Sequence, residues 1–217
     1  MNRKEVKLKR MLQYFVDATV EIINEEGLEN VTARKIADRA GYTGSTIYNY
    51  FEELSHLVYF ASMRFVNEYM QDLPNYLAKS DSYLEKYLLS WECFCKHSFH
   101  NPKIYHAIFI SDLGKKPKEV LEHYFSIYSS ELLGFPEEIK PLLYNPDLVS
   151  RSREMLEMAK KESDIDEQMI EEANEMAVLI WEGMMTTLLN RRRDMDIQEG
   201  IQKTMLYIRN SMKILER

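Results

Sequence analysis

Glycine and proline, the residues that build turns and break helices, supply only 13 of the 217 positions in this chain. That share is about half of the roughly 12% usual in globular proteins. No Asn-Gly, Asp-Gly or Gly-Gly pair is present to close a two-residue hairpin, so a sheet-rich fold is disfavoured and long helices are expected. The length permits one domain or two small ones, and a hydrophobic share of 45% beside a charged share of 29% is enough to bury a core.

Apolar runs are short, Ala177 to Trp181 being typical, and none approaches the roughly 18 residues of a membrane span. The start, MNRKEVKLKRML, is basic but has neither the apolar stretch nor the small-residue cleavage site of a secretory signal. Cys93 and Cys95 are the only thiols, too few to staple a chain of this size, so a cytoplasmic location is expected. The net charge of -7 argues at first against nucleic acid as a partner. Its distribution matters more. Arg3, Lys4, Lys7, Lys9 and Arg10 face a single Glu5 in the first ten residues, and the acidity lies mostly downstream of residue 60.

Apolar positions recur at helical spacing from Leu8 to Glu26, with Gly27 as a left-handed stop. Thr32 caps a short helix, Ala33 to Ala40, ended by Gly41, and Thr43 caps another from Gly44 to about Tyr50. A fourth is expected from Glu52 to Leu73, halted by Pro74. Further helices are read over 82–99, from Pro102 to about Leu113, and over 118–133, 147–161, 166–192 and 196–215, with Gly134, Pro136, Pro141 and Pro146 breaking the stretch between.

Residues 32–51, TARKIADRAGYTGSTIYNYF, place two short helices around Gly41-Tyr42. Ala37 is small where the helices meet, Gly41 accepts a positive φ, and Ile36, Ala40 and Ile47 supply the locking contacts. This is the logic of a helix-turn-helix, whose second helix enters the DNA major groove. Outward positions on that second helix are Gly44, Ser45, Tyr48 and Asn49. Asn49 suits bidentate pairing with adenine, Ser45 suits base or phosphate, and no arginine is present to read guanine. Arg34 and Lys35 form either a solvated face or a DNA contact. The N–H groups beside Thr32 and Thr43 suit phosphate oxygens.

The segment resembles the N-terminal domain of TetR-type (tetracycline-repressor-like) transcriptional regulators, carried by Thr32, Arg34, Ile36, Ala37, Ala40, Gly41, Thr46, Tyr48, Tyr50 and Phe51 over about residues 8–60. The resemblance implies an all-α protein with a three-helix DNA-binding domain, 1–53, and a larger helical effector-binding and dimerisation domain, 54–217. It implies DNA contacts by Thr32, Arg34, Lys35, Thr43, Gly44, Ser45, Thr46, Tyr48, Asn49 and Tyr50. The two tyrosines also have a packing reading. One departure stands out: Glu52, Glu53 and Leu54 occupy the place where the family commonly carries a phosphate-binding lysine. A basic arm, residues 1–7, is expected to compensate, so that its deletion lowers affinity.

A single such unit buries too little surface to find one site, so pairing of two copies is expected. The last two helices carry apolar stripes, Met176, Ile180, Met184 and Leu188 on one and Ile201, Met205, Ile208 and Met212 on the other. These are read as intramolecular core or, with the resemblance, as a four-helix homodimer interface. Eleven of the 25 aromatics fall within residues 76–128, which suggests core packing or an apolar effector cavity. Tyr87, Trp91, Phe94, Tyr105, Phe109, Tyr124 and Tyr128 are its candidate lining. Cys93, His97 and His100 share one helix face, near His106 in sequence, but three ligands along about 10 Å of straight helix cannot converge on one ion, and no metal or other cofactor is expected. Arg191 to Arg193 suit a helix C-terminus.

No nucleophile-base pair, paired carboxylates or phosphate loop points to an enzyme. The expected function is a DNA-binding regulator, a repressor released from operator DNA by a small apolar or aromatic effector. The alternative is a DNA-binding adaptor governed by a protein partner, which a filled C-terminal interior would favour.

Overall fold

The computed structural model describes residues 3–112, 117–128, 147–191 and 193–216, and among them there is no strand. The helices are α1 (Arg3–Glu26), α2 (Ala33–Ala40), α3 (Gly44–Ile47), α4 (Leu54–Met63), α5 (Asn67–Leu77), α6 (Tyr83–His100), α7 (Pro102–Phe109), α8 (Pro117–Ile127), α9 (Leu148–Glu157), α10 (Glu167–Asn190) and α11 (Ile197–Ser211). The fold is all-α, as the shortage of breakers required.

Two compact units form, 1–65 with 111–134 and 66–110 with 135–217. In the first, α1 packs against α2 and α4. Its core holds Leu12, Phe15, Ile22, Ile36, Ala37, Ile47, Leu57 and Phe60, all essentially inaccessible to solvent. Helix α8 belongs here too, placing His123 and Tyr124 edge-on to the Phe60 ring. These units follow packing and run across the 53/54 division read from the sequence, because α4 buries its face on α1. In the second unit α6 packs against α5, α11 and α9, and α10 lies between α9 and α11. Ala173, Ala177 and Trp181 of α10 are fully buried.

Polar side chains cap five of these helix starts. Thr32, Ser82, Asp147, Asp166 and Asp196 each accept a hydrogen bond from a backbone N–H in the first turn of α2, α6, α9, α10 and α11. At Gly41, φ of 78° and ψ of 30° lie in the left-handed region. That conformation lets the Tyr42 N–H donate to the Ala37 carbonyl at 2.8 Å and turn the chain sharply.

Several expectations are corrected. Gly27 has φ of 90° but an extended ψ of 158°, so it does not form a left-handed stop and leads into a 3-10 turn, Leu28–Asn30. Pro74 sits inside α5, which continues to Leu77. A proline near a helix C-terminus forfeits one N–H bond but still offers its carbonyl, which accepts from Ala78 at 3.0 Å. The break falls earlier, at a 3-10 turn over Arg64–Val66. Helix α3 has only one α-helical turn and passes into turn residues 48–50. The basic start is not a separate arm: from Arg3 onward it is the first part of α1. Residues 1 and 2, the loop at Gly114, the breaks at Gly134, Pro136, Pro141 and Pro146, and Arg192 lie outside the described residues.

Candidate functional site

Helix α2 is tied to α1 by charge as well as by packing. Arg39 reaches Glu25 at 2.6 Å and Glu21 at 3.6 Å, and Lys35 reaches Glu26 at 2.6 Å. The hydrogen bond from Arg39 holds the Glu25 carboxyl below the ordinary carboxylate range. The Tyr42 ring lies 5.5 Å from that of Phe15, and its hydroxyl donates to the Met11 sulfur. With Ile36, Ala37 and Ile47 buried between α1, α2 and α3, the α2–α3 corner has little freedom.

The opposite face points outward. Thr32, Arg34, Thr43, Ser45, Tyr48 and Asn49 are exposed, and Gly44 and Thr46 are half-buried beside them. The Arg34 side chain is 91% exposed, with Asp38 nearby at 3.7 Å. The Thr43 hydroxyl lies 3.1 Å from that of Ser45 and 2.9 Å from that of Thr46, so it makes a hydroxyl cluster and does not cap an N–H as expected. Two expected contact residues are already occupied. Lys35 is paired with Glu26, and the half-buried Tyr50 packs on Phe15 with centroids 5.8 Å apart, whereas Tyr48 remains 53% exposed. Glu52 and Glu53 are exposed, and Ser55 donates to Glu53. The result is a rigid platform of neutral donors and acceptors with one exposed guanidinium at its edge.

The candidate effector aromatics divide between the units. Tyr124 packs on Phe60 and lies 4.8 Å from Tyr128, whose ring faces Arg64, so both belong to the first unit. Tyr87, Trp91, Phe94, Tyr105 and Phe109 stay together in the second, where Phe94 contacts Trp91, Tyr105, Phe109 and Trp181 at 5.1–5.8 Å. Only Trp91 and Phe94 line the pocket beside them. This pocket lies between α5, α6 and α9 and opens to solvent, and Tyr69, Leu73, Leu148, Arg151 and Met155 complete much of its wall. Those five carry no spacing signal that separates them from core. Behind the wall, the Tyr87 hydroxyl donates to Asn174 at 3.3 Å and accepts from Ser152 at 3.4 Å, and burial pushes it up to about 12.

The last helices divide the two stripes between core and half-buried surface. Ile201, Met205, Ile208 and Met212 face the chain's own core and are at most 8% exposed. Leu188 packs against Gly200. Met176, Ile180 and Met184 are half-buried, and the exposed apolar surface is Leu179 on α10 with Leu206 and Tyr207 on α11.

Cys93 and His97 do meet, joined by Asp72 from α5, with their ligand atoms within 4.8 Å of one another. Asp72 accepts from His97 at 3.1 Å and from Lys96 at 3.0 Å, which hold its carboxyl below the usual range, and burial pushes the Cys93 thiol up to about 12. His100 is turned away to the Lys96 carbonyl. Lys96 already supplies the positive charge that an ion would bring.

Residues 15–54 match the model of a family described as bacterial regulatory proteins, tetR family. No curated protein matches the chain significantly. Among solved structures it is similar to FadR of Thermus thermophilus, a TetR-family transcriptional repressor in complex with lauroyl-CoA, at 13% identity over 93% of this chain and 94% of that one, with a TM-score of 0.58. It is similar to RolR in complex with resorcinol at 16% identity over 97% and 95%, with a TM-score of 0.59. FadR of Bacillus halodurans, a fatty acid degradation regulator, follows at 15% identity over 91% and 93%, with a TM-score of 0.52. At such identities the likeness establishes the shared fold.

Proposed function

We propose that this chain, a TetR-type transcriptional regulator, holds operator DNA as a homodimer through the α2–α3 corner and is a repressor released by a small ligand of its second unit. The observation that carries the reading is the division of the corner into a buried, ion-paired inner face and an exposed hydrogen-bonding outer face. In this proposal Asn49 and Ser45 meet base edges, while Thr32, Thr43, Thr46, Tyr48 and Arg34 meet phosphates, and Gly44 lets the backbone approach. Lys35 and Tyr50 act by holding the corner in shape. The division at 1–53 and 54–217 is kept for these roles.

Leu179, Leu206 and Tyr207, with Gly183 and the half-buried Met176, Ile180 and Met184, form the surface that a second copy would cover. Leu206→Glu is expected to yield a folded monomer by light scattering and to abolish tight operator binding. A dimer unaffected by the charge would move the interface elsewhere.

The pocket supports a ligand over the protein-partner alternative, which requires a filled interior. The acyl chain of the lauroyl-CoA and the ring of the resorcinol in similar proteins are of the kind that suits this pocket's largely apolar walls. A ligand releases DNA only by its preference for the conformation that spaces the two corners wrongly. Selection of bound duplexes from a random pool, followed by mobility shift with and without cell extract, tests the reading. Failure to retain any duplex at low ionic strength would end it.

A further inference from the structure

Among the described residues, the apolar pocket of the second unit has one charged group in its wall. Arg151, half-buried on the first turn of α9, lies over the rings of Tyr69 and Phe109 at 5.7 and 5.8 Å. Among the described residues its guanidinium has one hydrogen-bond partner, the Tyr69 hydroxyl at 3.2 Å, and no carboxylate. Asp147, one turn earlier, is committed to the helix start, accepting from the Val149 and Ser150 N–H groups. A charge partly withdrawn from water gains from a counter-charge, and the aromatic faces supply that only in part. The other polar wall residues, Ser90 and Ser152, carry no charge, and their hydroxyls donate to the Tyr87 carbonyl and the Tyr87 hydroxyl. Nearby, the Tyr105 hydroxyl is buried without a hydrogen-bond partner, within electrostatic reach of Tyr69 and Arg151.

We infer that the pocket takes a small organic carboxylate, its aromatic or short aliphatic body against Leu73, Trp91, Phe94 and Met155 and its carboxylate on the Arg151 guanidinium. One planar fork matches one carboxylate, whereas a phosphate or a dianion would call for further cations that the wall lacks. Tyr69 is a positioning residue: its hydroxyl holds one guanidinium nitrogen and leaves the others for the ligand. The inference rests on the effector reading above and sharpens it to one ligand class.

Calorimetry on the full-length protein with benzoate, phenylacetate and octanoate, each against its uncharged methyl ester, tests it. At least one acid is expected to bind about tenfold or more tighter than its ester, the usual worth of a charge-assisted hydrogen bond. Arg151→Gln should erase that preference while leaving ester affinity in place, and Arg151→Lys should keep part of it. Tyr69→Phe should shrink the preference without abolishing binding. Equal affinity of acid and ester, or a preference that survives Arg151→Gln, overturns the inference. Mobility shifts with the same compounds separate the two levels. If esters release DNA as well as acids do, the effector reading stands and the carboxylate falls. If no probe binds at millimolar concentration and DNA binding persists unchanged, both fall.

Discussion

The two units use polar side chains in opposite ways. In the first, the hydroxyls of Thr32, Thr43, Ser45 and Tyr48 sit on exposed residues, while the described interior is mostly apolar, its polar groups including Thr19, Ser62 and the buried Tyr59, Tyr124 and Tyr128. In the second, hydroxyls and amides are enclosed: Tyr87, Asn174 and Ser152 bond to one another, and the Trp181 indole N–H donates to Ser98 at 3.0 Å. The contrast teaches what each interior is for. A surface that meets a duplex keeps its hydrogen-bonding groups unspent and its scaffold stiff. An interior whose Tyr87, Asn174 and Ser152 bond to one another, with a pocket beside them, suits the ligand role proposed for it.

Substitutions can break this contrast, and the largest effect belongs to the enclosed side. Trp181→Ala removes a fully buried indole packed on Phe94 and the N–H that donates to the Ser98 hydroxyl. A loss of about 3–5 kcal/mol is expected in urea unfolding. Asn49→Ala, on the exposed side, should leave the unfolding midpoint unchanged and cost about 1–3 kcal/mol of affinity for the selected site. Equal weakening on unrelated DNA would show that Asn49 reads no base. Arg34→Ala should also spare stability, lower affinity on every sequence and reduce the salt slope by about 0.9. An unchanged slope would take Arg34 off the phosphates.

The smallest effect concerns Asp72, where a surface ion pair borders the buried thiol. Its carboxyl is depressed below the ordinary 3.8 by hydrogen bonds from His97 and Lys96. The stability it contributes is therefore present above that value and lost as pH falls through the lower, folded value. Asp72→Asn should lower the urea midpoint slightly at neutral pH and converge with the wild type below pH 3.8. Curves that stay parallel into acid would show that ionisation of Asp72 is not involved.

Local chemistry carried the N-terminal unit. Thr32 as a cap, Gly41 as the turn, and the inward Ile36, Ala37 and Ile47 are all readable within twenty residues, because each is decided by backbone geometry and near neighbours. Where local signs were weak, reading failed. The 3-10 turn at Arg64–Val66 contains no breaker, and Pro74 forfeits too little near a helix end to stop it. The pairing of Lys35 with Glu26 joins residues nine apart on different helices, which no local spacing announces.

By itself, then, the sequence determined that the chain is all-helical, where most helices begin, and which short corner carries small polar residues outward. Those outcomes follow from breaker content, capping groups and helical period, all of short range. Only the tertiary structure decided that α8 joins the first unit, that Ile201, Met205 and Ile208 turn inward, and that Arg151 from α9 meets Tyr69 from α5 at a pocket. Each depends on which faces of distant helices bury one another, and an amphipathic stripe states that it will be covered without stating by what.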